Sequence, residues 1–219
     1  MTAEAGAKLR ISEIFHSIQG ESSRAGLPTV FVRLTGCPLR CTWCDTEYAF
    51  AGGEAMSTAQ VLDRVAAFGC PVVCVTGGEP LAQKSCHELL VALCDGGYSV
   101  SLETSGALDV CGVDARVSRI VDLKAPDSGE CDKNRWENLA CLNPRDELKI
   151  VLASEADYLW AKKSALAARR LDEICPVLFS PVAGKLDPAQ LAEWILRDRL
   201  PVRFQLQMHK LLWSEPRGR

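Results

Sequence analysis

No stretch of this 219-residue chain approaches the ~20 apolar residues that a membrane-spanning helix requires. Residues 1–9 (MTAEAGAKL) lack the apolar centre of a secretory signal, so a cytoplasmic protein is expected. Positive charge is not in excess: 25 Lys and Arg stand against 28 Asp and Glu, for a net charge of −3. That balance argues against a nucleic-acid backbone or an anionic membrane as the principal partner. Low-complexity runs are missing too. A single domain over 1–219 is therefore expected, with about the first nine residues disordered and the rest long enough to bury a full core. Histidine is scarce, and His16, His87 and His209 are isolated from one another.

Cysteine, by contrast, is abundant and odd in number, at eleven. Disulfides are disfavoured in a reducing compartment, which turns attention to metal binding. Three of the eleven crowd into Cys37-Pro38-Leu39-Arg40-Cys41-Thr42-Trp43-Cys44, a C-x3-C-x2-C loop. The other eight (Cys70, Cys74, Cys86, Cys94, Cys111, Cys131, Cys141 and Cys175) are scattered and are expected to be structural or surface thiols.

The pattern along the chain is one of alternating strands and helices. Ile11–Ile18 partly alternates and ends at Gln19-Gly20-Glu21, and Thr29–Leu34 reads as a β-branched strand that runs into the cysteine loop. Ser57 and Gln60 form a capping box for a helix to about Phe68. Val72–Val75 is a buried strand ended by Thr76-Gly77-Gly78-Glu79-Pro80, with a helix over about Leu81–Cys94 stopped by Gly96-Gly97. Further strands are expected at Tyr98–Leu102, Arg119–Leu123, Glu147–Leu152, Pro176–Phe179 and Val202–Leu206, and helices from Ser154 to about Arg170 and from Asp187-Pro188. Such alternation needs crossover connections and a parallel sheet. The predicted fold is α/β: a partial, open βα barrel of about six units, with a flat doubly wound sheet as the alternative. In either, ligands gather at the strands' C-terminal ends, where the cysteine loop, TGGEP, ETSG, LKAP, FSP and QMHK all fall.

Three thiolates suit an iron–sulfur cluster with one iron left open. Structural zinc wants four ligands, and only one C-x2-C knuckle is present, so zinc would need a remote fourth cysteine. Ferredoxin-type ligation would also need a fourth.

The cysteine loop resembles the signature of the radical S-adenosylmethionine enzymes, and Thr76-Gly77-Gly78-Glu79-Pro80 resembles their second motif. The resemblance extends over nearly the whole chain to the 7-carboxy-7-deazaguanine synthase family of the queuosine precursor pathway. It is carried by Glu13-Ile14-Phe15, Ser17-Ile18-Gln19-Gly20-Glu21, Phe31-x-Arg33-Leu34-x-Gly36-Cys37, Cys41-x-Trp43-Cys44-Asp45-Thr46, Glu103-Thr104-Ser105-Gly106, Asp122-Leu123-Lys124, Glu147-Leu148-Lys149 and Gln207-x-His209-Lys210.

That family implies a lyase contracting 6-carboxy-5,6,7,8-tetrahydropterin to 7-carboxy-7-deazaguanine with loss of ammonia, begun by a 5′-deoxyadenosyl radical that removes the C6 hydrogen. It implies a 4Fe–4S cluster on Cys37, Cys41 and Cys44, and S-adenosylmethionine lined by Trp43, Cys44, Asp45, Gly77, Gly78, Glu79, Ser105, Lys124 and Ser180. Mg2+ would sit on Thr46, and Ile18, Gln19, Gly20, Glu21, Arg33 and Thr76 would hold the substrate. Glu103 and His209 would position it or move protons. A flavodoxin or ferredoxin donor and a homodimer are implied as partners. Each residue also has a plainer reading: Arg33 as a paired buried charge, Glu21 as a loop carboxylate, Thr46 as a turn hydroxyl, Lys124 as a solvated amine and His209 as a strand-end residue. The family's substrate-touching terminus is not carried over to Trp213–Arg219, which differs. Two other functions remain in competition: an activating enzyme for a glycyl-radical protein, and a zinc-stabilised binding module.

Overall fold

The computed structural model describes residues 8–213 and residue 218. Its described strands form one sheet: β1 (Leu9–Ile18), β2 (Pro28–Leu34), β3 (Glu54–Met56), β4 (Val72–Gly77), β5 (Ser99–Thr104), β6 (Ser118–Asp122), β7 (Glu147–Leu152), β8 (Val177–Pro181) and β9 (Arg203–Phe204). The order is β3-β1-β2-β4-β5-β6-β7-β8-β9. From β2 through β4 to β9 every neighbour is parallel, and β1 is antiparallel to both β2 and β3.

Parallel pairing follows from the helices that return the chain: α1 (Thr58–Ala66), α2 (Cys86–Asp95), α3 (Glu155–Trp160, continued by a π-helical turn at Ala161–Ala167) and α4 (Pro188–Asp198). Local chemistry starts each where expected. Ser57 Oγ accepts from Gln60 N while Gln60 Oε1 accepts from Ser57 N, and Ser154 and Asp187 cap α3 and α4. β-Branched and leucine side chains of the strands (Val30, Val32, Val73, Val75, Leu102, Ile150) and Leu89, Leu90 and Leu93 of α2 are buried in one core.

Several expectations are corrected. Leu9 is not part of a disordered lead: it begins β1 and is fully buried, while residues 1–7 lie outside the described residues. The helix expected from Leu81 starts later, at Cys86, after a 3-10 turn at Pro80–Ala82. The delay has a cause: Gln83 donates to Arg10 O and Thr35 O and accepts from Arg10 N, which pins this segment to the edge of β1. No α-helix joins β5 to β6, and only short 3-10 turns join β6 to β7. In that region Cys111 and Cys141 form a disulfide with Cα atoms 5.2 Å apart, where unpaired thiols were expected. Asn138 brings the two segments together, donating to Gly106 O and Leu108 O and accepting from Val110 N. The last strand, expected over Val202–Leu206, is shortened to Arg203–Phe204, and His209 lies in α5 (Met208–Trp213) instead of at a strand end.

The loop after β1 spans the open side of this sheet. It crosses to the opposite flank, where Ser22 N donates to Gln205 Oε1 (2.8 Å) and Met208 N to Gly20 O (3.1 Å). Gly20 packs closely at this crossing: a Cβ there would lie 2.6 Å from His209 Nδ1 and 3.0 Å from His209 N.

Candidate active site

A cavity of about 450 Å³ opens at the C-terminal ends of the parallel strands. The cysteine loop leaves β2 directly, and the Gly77-Gly78 turn leaves the adjacent β4. Gly78 N donates to Leu34 O and Glu79 N to Gly36 O (2.7 Å), which lock the turn against the loop. The fit leaves no room for a side chain, because a Cβ at Gly78 would stand 2.3 Å from Gly36 O and 2.7 Å from Cys37 Cβ. A third contact comes from the segment after β6: Thr42 N and Oγ1 donate to Ser128 O and Asp127 O, and Arg40 N to Glu130 Oε1.

Cys37, Cys41 and Cys44 are all unpaired thiols and all line the cavity. Partial burial pushes the Cys37 and Cys41 thiols up, so a cation that takes them as thiolates must release protons. Among the described residues no group of three or more His, Cys, Asp or Glu is arranged to hold a single metal ion. Three soft thiolate donors on one loop, spread along a cavity wall, fit an iron–sulfur cluster.

Most predicted site residues meet here. Ile18, Gln19, Gly20, Glu21, Arg33, Trp43, Asp45, Thr46, Thr76, Gly77, Gly78, Glu103, Ser105, Lys124 and His209 all line the same cavity. Two do not. Glu79 is fully buried and spent on the fold: its carboxylate accepts from Leu81 N, Thr104 Oγ1, Ser105 N (2.7 Å) and Ser105 Oγ. It joins the ends of β4 and β5 and does not face a ligand. Ser180 is buried within β8, and its hydroxyl has no hydrogen-bond partner among the described residues.

The lining residues hold one another in place. Glu103 accepts from Gln19 Nε2 and Thr76 Oγ1, both at 3.1 Å. Arg33 is both a paired charge and a cavity residue. Its Nε donates to Glu13 Oε1 at 2.7 Å, Tyr48 OH donates to the same oxygen at 2.7 Å, and the guanidinium lies over the Phe15 and Tyr48 rings. Burial works against the Arg33 charge, but its acidic and phenolic neighbours outweigh that and raise its pKa. Burial and the Glu13 bond push the Tyr48 phenol up to about 12, so it remains a donor at neutral pH. Lys124 pairs with Asp122 (2.7 Å), and Asp45 pairs with Lys210 (3.2 Å). Lys149 lies at the cavity wall between Glu21 and Asp122. Glu13, Tyr48, Asp122 and Lys149 had no role assigned from sequence. A lysine inside the apolar strand ELKIVL was the one signal that could have exposed Lys149.

An open parallel sheet with a C-x3-C-x2-C loop and a glycine turn at adjacent strand ends defines a radical S-adenosylmethionine enzyme, and the Radical SAM superfamily profile matches residues 31–127. The chain belongs to the 7-carboxy-7-deazaguanine synthase family. It is 56% identical over 211 residues to the 7-carboxy-7-deazaguanine synthase of Chlorobaculum tepidum, covering 95% of this chain and 96% of the relative. It is 41% identical to that of Koribacter versatilis, over 94% and 97% of the two chains. Its fold matches the crystal structure of QueE from Escherichia coli with a TM-score of 0.76 at 25% identity, covering 92% of this chain and 95% of the other. Among the described residues no helix is long and apolar enough to cross a membrane.

Proposed function

We propose that this chain is a cytoplasmic, single-domain lyase that converts 6-carboxy-5,6,7,8-tetrahydropterin to 7-carboxy-7-deazaguanine with loss of ammonia. The observation that carries this reading is the meeting, in one cavity, of the cysteine loop, the glycine turn and a set of polar groups suited to a small carboxylated heterocycle. Family membership favours it over the glycyl-radical activating enzyme and the zinc module. Cys37, Cys41 and Cys44 would hold the 4Fe–4S cluster, and Trp43, Asp45, Gly77, Gly78, Ser105 and Lys124 would line S-adenosylmethionine. When bound, these two groups supply the carbon radical that starts the reaction.

The chain's own residues do the rest. Glu13 engages Nε of Arg33, and the terminal nitrogens are left to bind the substrate carboxylate as a fork. Gln19, with the backbone of Ile18 and Gly20, faces the heterocycle. Thr76 and Gln19 fix the orientation of Glu103, which with His209 stands ready to position the substrate or accept a proton. Thr46 offers Mg2+ a hard oxygen, to be completed by substrate and water. A flavodoxin or ferredoxin as donor and a homodimeric state belong to the same proposal.

The test is anaerobic incubation of the reconstituted, reduced protein with S-adenosylmethionine and the tetrahydropterin carboxylate. The expected product is the deazaguanine acid with one equivalent of ammonia; iron-loaded protein that forms none would sink the reading. A Tyr48→Phe variant removes one of two donors that fix Glu13. Its expected effect is a several-fold rise in KM for the pterin, on the order of 1 kcal/mol, with kcat little changed. Steady-state kinetics check this, and an unaltered KM would show that Arg33 needs no help from the phenol.

A further inference from the structure

Lys149 sits in β7, buried to 10% side-chain exposure, and meets two carboxylates: Glu21 Oε2 at 2.5 Å and Asp122 Oδ1 at 3.2 Å. Each carboxylate is held from its far side as well. Gln207 Nε2 donates to Glu21 Oε1 (2.7 Å), and Lys124 Nζ to Asp122 Oδ2 (2.7 Å). The result is a polar row, Gln207–Glu21–Lys149–Asp122–Lys124, every member of which lines the cavity. Burial opposes the Lys149 charge, but Asp122 and Glu21 overcome it and hold the pKa well above the ordinary lysine value. The side chain is therefore a permanent ammonium.

An ammonium carries three donors. Lys149 hydrogen-bonds Glu21 and forms an ion pair with Asp122 at 3.2 Å, and it lines the cavity, so it has donor capacity to offer a bound ligand. Glu21 in turn retains acceptor capacity on oxygens held by Lys149 and Gln207. A donor and an acceptor thus stand side by side on the cavity wall, 2.5 Å apart. We propose that Lys149 is a specificity-determining residue that donates to the ring carbonyl of a 2-amino-4-oxopyrimidine-type substrate, while Glu21 accepts the neighbouring ring N–H. The inference rests on the pterin reading above and sharpens it, since it names which edge of the ring is read and by what.

A buried donor rejects a ligand that presents another donor, because both groups are left desolvated and unmatched. The probe is therefore a pair of ligands: 6-carboxytetrahydropterin and its counterpart with an amino group in place of the 4-oxo group. Binding is measured by anaerobic calorimetry on the iron-loaded protein. Wild type is expected to favour the oxo ligand by at least about 100-fold. Lys149→Met should reduce that preference to within about threefold, with iron content unchanged, and Lys149→Arg should restore part of it. Should the Met variant lose iron or melt early, Lys149→Gln carries the same comparison. An undiminished preference without the ammonium overturns the proposal, because a purely structural lysine would leave the ratio alone. Failure of wild type to bind the pterin overturns the functional reading and this inference with it. A pterin that binds without 4-oxo preference overturns the inference alone.

Discussion

Gly78→Ala is expected to cost most of the iron and at least about 100-fold in product formation, while the circular dichroism of the sheet is retained. The reason is steric and local. The added methyl would meet Gly36 O at 2.3 Å and Cys37 Cβ at 2.7 Å, and the first of these is backbone that cannot rotate away. The segments on both sides are bound to each other through Gly78 N to Leu34 O and Glu79 N to Gly36 O, so the loop can give way only by breaking that pairing. Cys37 is the first thiol of the loop, and its displacement moves a proposed cluster ligand relative to the other two. Gly112→Ala is the control, since its nearest neighbour, His87 Cε1, is at an ordinary 3.6 Å. Iron and sulfide assay after anaerobic reconstitution, followed by turnover, decides the matter. A Gly78→Ala protein that keeps its iron and its rate would mean that the turn does not set the loop's position.

Asp146→Ala is the largest expected loss of stability, about 3–5 kcal/mol. Asp146 is fully buried just before β7 and accepts from Arg119 N, Nε and Nη2, the last at 2.6 Å, and from Asn143 N and Nδ2 at 2.8 Å. Arg119, itself 5% exposed, lies on β6 and also donates to Cys141 O. Removing the carboxylate leaves a guanidinium in the interior with only carbonyls to face. The pair ties the entrances of β6 and β7 at the end of the sheet opposite the cavity. Denaturant titration should therefore show the loss in stability, and the KM of folded enzyme should stay close to wild type. A midpoint shift equivalent to less than about 1 kcal/mol would mean that water or a rearranged neighbour replaces the carboxylate.

Much of the active site was legible because its signals are short in sequence. Three cysteines in eight residues, a Gly-Gly turn at the end of a β-branched run and a capping box at Ser57 each depend on neighbours a few positions away. Local sterics and hydrogen bonding determine such features. The alternation of apolar strands and helices likewise implied a parallel sheet, and with it the gathering of polar loops at one end. Glu79 shows the limit of a motif: its place in TGGEP suggested a ligand, but Thr104, Ser105 and Leu81 take its carboxylate because β5 lies beside β4.

What the amino-acid sequence determined by itself was the reactive loop, its glycine partner and the class of fold that presents them. Only the tertiary structure decided how the charges are shared. Arg33 finds Glu13 because β1 runs antiparallel to β2, placing the two in register. Lys149 finds Glu21, 128 positions away, because the loop after β1 crosses the open barrel to the flank carrying β7 and Gln205. Cys111 meets Cys141 because Asn138 binds one connection to the other. Periodicity and spacing report on neighbours along the chain, whereas a buried charge takes its partner from strand order and sheet curvature, since burial leaves it nothing else to pair with.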